Sequence, residues 1–118
     1  MDDTLNIFGV KDEWVTGFVP VDRYEDDIFY WMVKARHDPE NAPLVMWLTG
    51  GPGCSSEVAL FYEQGPWRLT QDGQVQENPE TWSNVANMLF IDQPIGAGFS
   101  HGGGKVIHTE EEIARDVV

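Results

Sequence analysis

The sequence predicts an α/β fold with a sheet in the middle and helices beside it. Two short apolar runs, PLVMWL at residues 43–48 and NMLFI at residues 87–91, have the length and bounding turns of strands. After the first run comes a helical stretch with an acidic, serine-capped start. Strand, helix, strand, helix in chain order is the pattern of layered α/β proteins.

The elements follow in order. Residues 14–19 (WVTGFV) read as a first strand, with turn residues at 20–22. Residues 28–35 (IFYWMVKA) are aromatic and β-branched enough for a second. HDPENAP is a loop by its Asp, Asn and Pro content. Residues 43–48 form a third strand, whose unbroken apolar run predicts burial on both faces. TGGPG follows, then a helix over 55–64. Ser55 or Ser56 supplies its N-cap oxygen, and Glu57 favours the positive end of the dipole. Gly65-Pro66 stops it. The stretch around Asp72-Gly73 reads as irregular. Residues 87–91 are the fourth strand, closed by Asp92-Gln93-Pro94. A helix over 109–118 begins with Thr109 as cap and Glu112 three residues on, as in a capping box, and reads as cut off mid-element.

Composition narrows the functional classes. The 118 residues make one domain or less, able to bury roughly two-thirds of the unfolded chain's surface. Hydrophobic content of 42% and aromatic content of 12% indicate a folded protein. Five tryptophans suit the interior of something larger, which points to a fragment. A formal charge of −13 leaves little to neutralise phosphates, so nucleic acid is excluded as a partner. The acidity is either a solvated surface or an adaptation to an acidic compartment. No apolar run has the length of a membrane span, and no basic start with a long apolar stretch marks a secretory signal. Either the protein is cytosolic or its true start lies upstream of Met1. Cys54 is the single cysteine, so an internal disulfide is impossible. His37, His101 and His108 have no metal-site spacing, and neither a metal nor a cofactor is expected.

Two glycine-rich segments carry the candidate chemistry. In the first, Thr49-Gly50-Gly51-Pro52-Gly53, a strand feeds glycines and then a helix start. Such a loop presents unpaired backbone N–H groups. It either binds an oxyanion or carboxylate or is a tight structural turn. It is not a phosphate loop, having neither the lysine nor the G-x-G-x-x-G spacing. The second, GAGFSHGGG at residues 96–104, fits both G-x-S-x-G and the HGGG motif of esterases. A nucleophile elbow needs a strand running straight into the turn and a helix directly behind it. Pro94, Gly96 and Gly98 precede Ser100, and no helix begins before Thr109. Ser100 is therefore not read as a nucleophile.

Residues 43–66, PLVMWLTGGPGCSSEVALFYEQGP, resemble the signature region of the serine carboxypeptidases. The likeness extends to FYWMVKARHDPENAP before it, and to NPETW and NMLFIDQPIGAGFS after it. It covers the chain from about Trp14 to its end. The resemblance implies an N-terminal part of an α/β-hydrolase fold, one domain over residues 1–118, truncated before the nucleophile elbow. Gly50 and Gly51 match the oxyanion loop, with the Gly51 N–H as one donor. Trp47, Thr49, Gly50 and Glu63 match the site that recognises a substrate's terminal carboxylate. Thr49 stands where the family has Asn, so a hydroxyl replaces an amide with two N–H groups. Trp47 is equally readable as plain core. Glu63 is either a solvated helix-end carboxylate or, buried beside Phe61 and Tyr62, a neutral carboxyl able to donate to a substrate carboxylate.

The resemblance also implies that Cys54 pairs with a downstream cysteine of a full-length parent. It implies that no catalytic residue lies in this chain, the triad Ser, Asp and His falling beyond residue 118. Asp92, in its DQP motif, is read as shaping a strand end. The activity implied is removal of C-terminal residues from peptides and proteins through an acyl-enzyme, in a vacuolar, lysosomal or secreted protein. The isolated chain is expected to be inactive and, with open sheet edges, to fold poorly. A related acyltransferase and a non-catalytic peptide- or partner-binding remnant are the alternatives.

Overall fold

The computed structural model of the chain describes residues 12–21, 26–50, 53–94, 96–102 and 109–117. β1 (Trp14–Val21) and β2 (Asp26–Val33) form an antiparallel hairpin in unbroken register from Trp14↔Val33 to Val21↔Asp26. β1 runs through Pro20, where a turn was expected. It is a sheet edge, and an edge strand accommodates a residue that has no N–H.

β3 (Leu44–Leu48) and β6 (Asn87–Ile91) pair in parallel, and the four-stranded sheet has the order β1-β2-β6-β3. β6 also pairs antiparallel with β2, from Tyr30↔Ile91 to Val33↔Met88. Parallel neighbours require a crossover. Here it consists of α1 (Glu57–Tyr62), the hairpin of β4 (Trp67–Leu69) and β5 (Val75–Glu77), and a 3-10 turn at Trp82–Asn84. The stretch read as irregular is this hairpin's turn, where Gly73 takes φ +80° and its N–H donates to the Thr70 carbonyl at 3.0 Å. α2 (Glu110–Val117) carries the expected cap, the Glu112 N–H donating to Thr109 Oγ1 at 3.2 Å.

Two expectations are corrected. α1 is shorter than 55–64, because the chain leaves helical geometry at Glu63 and the Gly65 N–H turns back to the Ala59 carbonyl at 2.9 Å. A Cβ on Gly65 would collide with the Leu60 backbone, so glycine is required at this stop. β3 is not buried on both faces. Val45 and Trp47 pack on the core, but Leu44, Met46 and Leu48 are 62%, 47% and 42% exposed. The cause is that the described elements pack on the Val45 and Trp47 side of this edge strand and leave its other face uncovered.

The core lies between the sheet and the crossover. Trp14, Val33, Met88 and Phe90 from the sheet meet Ala59, Leu60, Trp67 and Ala86. Aromatic rings supply much of it. Trp31 packs on Trp14 at 5.1 Å and on Trp67 at 5.7 Å between ring centroids, and Phe61 lies 5.9 Å from Trp67. Arg36 binds the hairpin to the sheet. Its guanidinium donates to both Asp12 carboxylate oxygens (2.8 and 3.1 Å) and to the carbonyls of Asn78 (2.9 Å) and Pro66 (3.1 Å).

Candidate functional site

The site is built where β3 and β6 end side by side. Trp47 and Thr49 are two residues apart on an extended chain and so face the same way. The indole N–H of half-buried Trp47 donates to Thr49 Oγ1 at 3.0 Å. The Thr49 hydroxyl accepts this bond on one lone pair and keeps its own hydrogen to donate.

The backbone of Thr49 is held from both sides. Its N–H donates to Ser56 Oγ at 3.1 Å, and its carbonyl accepts from Gln93 Nε2 at 2.9 Å. In a trans peptide the next N–H points opposite the carbonyl. Fixing the Thr49 carbonyl therefore fixes the direction of the Gly50 N–H. Around Gly50 there is open space, with no atom within 4 Å of where a Cβ would stand. The arrangement is a backbone donor held in a fixed direction, which suits an anionic ligand. Gly51 and Pro52, the rest of the expected oxyanion loop, lie outside the described residues. Gly53 resumes at φ +86°, a conformation glycine adopts without penalty.

Ser56, at the N-cap position of α1, makes no side-chain cap bond. Its hydroxyl is used across the chain instead, accepting from Thr49 and donating to the Ile91 carbonyl. Ser55 Oγ takes the Glu57 N–H at 3.2 Å.

Asp92 joins the two glycine-rich segments. It is fully buried, and its Oδ1 accepts from Ser55 Oγ and the Ser56 N–H, both at 2.8 Å. Its Oδ2 accepts the Phe99 N–H at 2.8 Å. Gly98, at φ +53°, makes that approach possible, since a Cβ there would run into the Asp92 carboxylate. Asp92 thus shapes the strand end, as its motif suggested.

Ser100 is a structural bridge. It is 3% exposed, and its hydroxyl accepts the Phe29 N–H at 2.8 Å and donates to the Asp92 carbonyl at 2.6 Å. The Asp92 N–H already donates to the Phe29 carbonyl at 3.1 Å, continuing the β2–β6 ladder. The hydroxyl is inserted where the return ladder bond would form. Both its partners are backbone atoms, and among the described residues no base accepts its hydrogen. Neighbouring His101 turns its 62% exposed side chain toward the Asp27 carboxylate, 3.7 Å away. Gly103, Gly104 and His108 lie outside the described residues.

Of the two readings of Glu63, the described residues show the solvated one. Its side chain is exposed at the C-terminal end of α1. Cys54 is an exposed free thiol. Among the described residues, no group of three His, Cys, Asp or Glu could hold a metal, and no helix is long and apolar enough to cross a membrane.

The family model for serine carboxypeptidase matches residues 6–118. The chain belongs to the serine carboxypeptidase family. Among its relatives is carboxypeptidase Y homolog A of Leptosphaeria maculans, 41% identical over 105 residues, which are 88% of this chain and 19% of that protein. The homolog of the same name in Ajellomyces dermatitidis is 45% identical over 94 residues, 80% of this chain and 17% of that protein. Of solved structures, Kex1(Δ)p, a prohormone-processing carboxypeptidase from Saccharomyces cerevisiae, superposes with a TM-score of 0.69 at 35% identity. That match covers 76% of this chain and 21% of Kex1(Δ)p. The fold is accordingly part of an α/β-hydrolase, and the chain spans about a fifth of the length of these carboxypeptidases.

One pair of side chains escaped the sequence reading. Glu57 on α1 shares the Ser55 hydroxyl with Asp92, and its carboxyl is pushed up to about 7, first by burial and then by that neighbour. Two acids, one after each glycine-rich turn's flanking strand, were visible, but nothing in the sequence brings residues 57 and 92 together.

Proposed function

We propose that this chain is the oxyanion-loop segment of a serine carboxypeptidase that removes residues from peptide C-termini. The single observation that carries the reading is the Thr49–Gly50 peptide, held by Ser56 and Gln93 so that the direction of the Gly50 N–H is fixed. In acyl transfer such a donor stabilises the oxyanion of the tetrahedral intermediate. Gly50 and Gly51 form this loop. Trp47, Thr49 and Gly50 bind the substrate's terminal carboxylate, Thr49 offering one O–H where an amide would offer two N–H groups. Glu63 joins them when covered by the remainder of the enzyme.

The nucleophile, base and orienting acid come from outside residues 1–118, which form the N-terminal part of one hydrolase domain. Cys54, exposed here, pairs with a cysteine from the same remainder. The complete enzyme works in a vacuole, a lysosome or outside the cell. By itself the chain hydrolyses nothing.

The test is direct. The purified chain is incubated with a blocked dipeptide at acid pH and with a fluorophosphonate, and no product and no labelled Ser100 are expected. Amide spectra are then recorded with an N-acyl amino acid and with its C-terminal amide. Perturbation of the Gly50 and Thr49 amides by the free carboxylate alone supports the reading. Equal response to both ligands, or labelling of Ser100 abolished by Ser100→Ala, overturns it.

A further inference from the structure

The hydrogens around Glu57 do not add up if both nearby acids are ionised. Ser55 Oγ accepts the Glu57 N–H and lies within hydrogen-bond reach of both Glu57 Oε2 and Asp92 Oδ1. A hydroxyl carries one hydrogen and cannot donate to two carboxylates at once. Asp92 has its other donors from the Ser56 and Phe99 amides, which are already committed. Glu57 Oε1 is buried and receives no hydrogen bond. Such an oxygen is tolerated on a neutral carboxyl far better than on a carboxylate. The count closes if Glu57 is a carboxylic acid whose hydrogen goes from Oε2 to Ser55 Oγ, leaving the Ser55 hydrogen for Asp92 Oδ1.

We infer that Glu57 and Asp92 form a proton-dependent clamp that positions the Thr49–Gly50 peptide. With one proton between the two carboxyls, the start of α1 is held to the end of β6. Ser56 is fastened there by its N–H on Asp92 and its hydroxyl on Ile91, and that hydroxyl receives the Thr49 N–H. Gln93, next to Asp92, holds the Thr49 carbonyl. Removing the proton sets two negative charges against each other behind the loop and leaves Ser55 with an unmet acceptor. The positioning role rests on the reading of Gly50 as an oxyanion donor; the clamp itself does not.

Among the described residues, Asp92 is the titratable group acting on Glu57. β4 also packs on α1, but its Arg68 donates to the Tyr62 carbonyl at the helix's far end, and Glu63 there is exposed. Glu57 and Asp92 are positioning residues, since neither is placed on substrate.

The test uses the 118-residue chain and needs no activity. The Glu57 side-chain carboxyl carbon and the Gly50, Thr49 and Ser56 amides are followed by NMR through pH 4 to 9. They are expected to titrate together with a midpoint near 7. Hydrogen-exchange protection of the Thr49 and Ser56 amides should fall about tenfold per pH unit as pH rises from 4.5 to that midpoint, and this slope should vanish in Glu57→Gln. An ordinary carboxylate midpoint for Glu57 in the wild-type chain overturns the clamp, as do amides that fail to follow it. If Glu57→Gln does not fold, the wild-type titration decides alone. A clamp that titrates beside a Gly50 amide indifferent to free carboxylate ligands would sink the proposed function and leave this inference standing.

Discussion

Replacing Ser100 with alanine tests the reading of GFSHG as architecture. The hydroxyl sits between the Phe29 N–H (2.8 Å) and the Asp92 carbonyl (2.6 Å), in a residue 3% exposed. Alanine removes both contacts and leaves a donor and an acceptor without water. Each stranded group costs about 1–3 kcal/mol. Direct closure of the ladder bond would recover part of that, so a loss of about 2–4 kcal/mol is expected. Urea unfolding followed by tryptophan fluorescence gives the stability change, and hydrogen exchange at the Phe29 amide gives its location. The Phe29 amide should lose protection, while Met32, within the β2–β6 ladder, changes only as far as global stability does. A change below about 0.5 kcal/mol, the ordinary effect of a surface substitution, with Phe29 still protected, would refute the reasoning.

Three further outcomes follow from the same structure. Glu57, raised from an ordinary carboxyl to about 7 in the folded chain, binds its proton more tightly folded than unfolded. Its contribution to stability is therefore fully present below pH 4.5 and lost as pH rises through about 7. It amounts to at most about 3 kcal/mol, trimmed by partial exposure, and thermal unfolding of wild type against Glu57→Gln across that window measures it. Arg36→Ala should cost about 3–5 kcal/mol by stranding Asp12 and the Asn78 and Pro66 carbonyls, whereas Arg36→Lys should recover only part, lacking the two-pronged geometry; urea midpoints of the three chains decide. Gly98→Ala should destabilise by more than 1 kcal/mol, combining a positive φ with a collision at Asp92, and the Phe99 amide should lose protection first.

Much of this was legible in the residues. The strands at 28–35 and 87–91 were found by their aromatic and branched content, and the Gly65-Pro66 stop by its chemistry. The nucleophile match at Ser100 was rejected from local context, and its burial and backbone partners agree. What escaped depended on distant neighbours. β3 has the apolar run of a fully covered strand, yet cover is a property of what packs on it, and here it is an edge. The β4–β5 hairpin has strands of three residues each, too short for a period to register. Glu57 looks like a first-turn helix acid, and only the arrival of Asp92 from 35 positions away turns it into a proton holder. Of the expected carboxylate site, the Trp47–Thr49 contact was not foreseen, although their two-residue spacing makes it possible. Glu63 was left between a solvated and a buried carboxyl, because cover at that position depends on groups far from it in sequence.

The strand order β1-β2-β6-β3 also has a kinetic meaning. The β1–β2 hairpin closes a short loop and forms early, but β3 makes its ladder only with β6, more than 40 residues later. β6 is the keystone: it enters between two strands that do not touch each other, and the sheet exists as one body only after it arrives. Until residue 91 has been made, a chain leaving the ribosome holds a hairpin and a loose strand. Its apolar side chains are then without their partners, and that interval is when a chaperone has most to do.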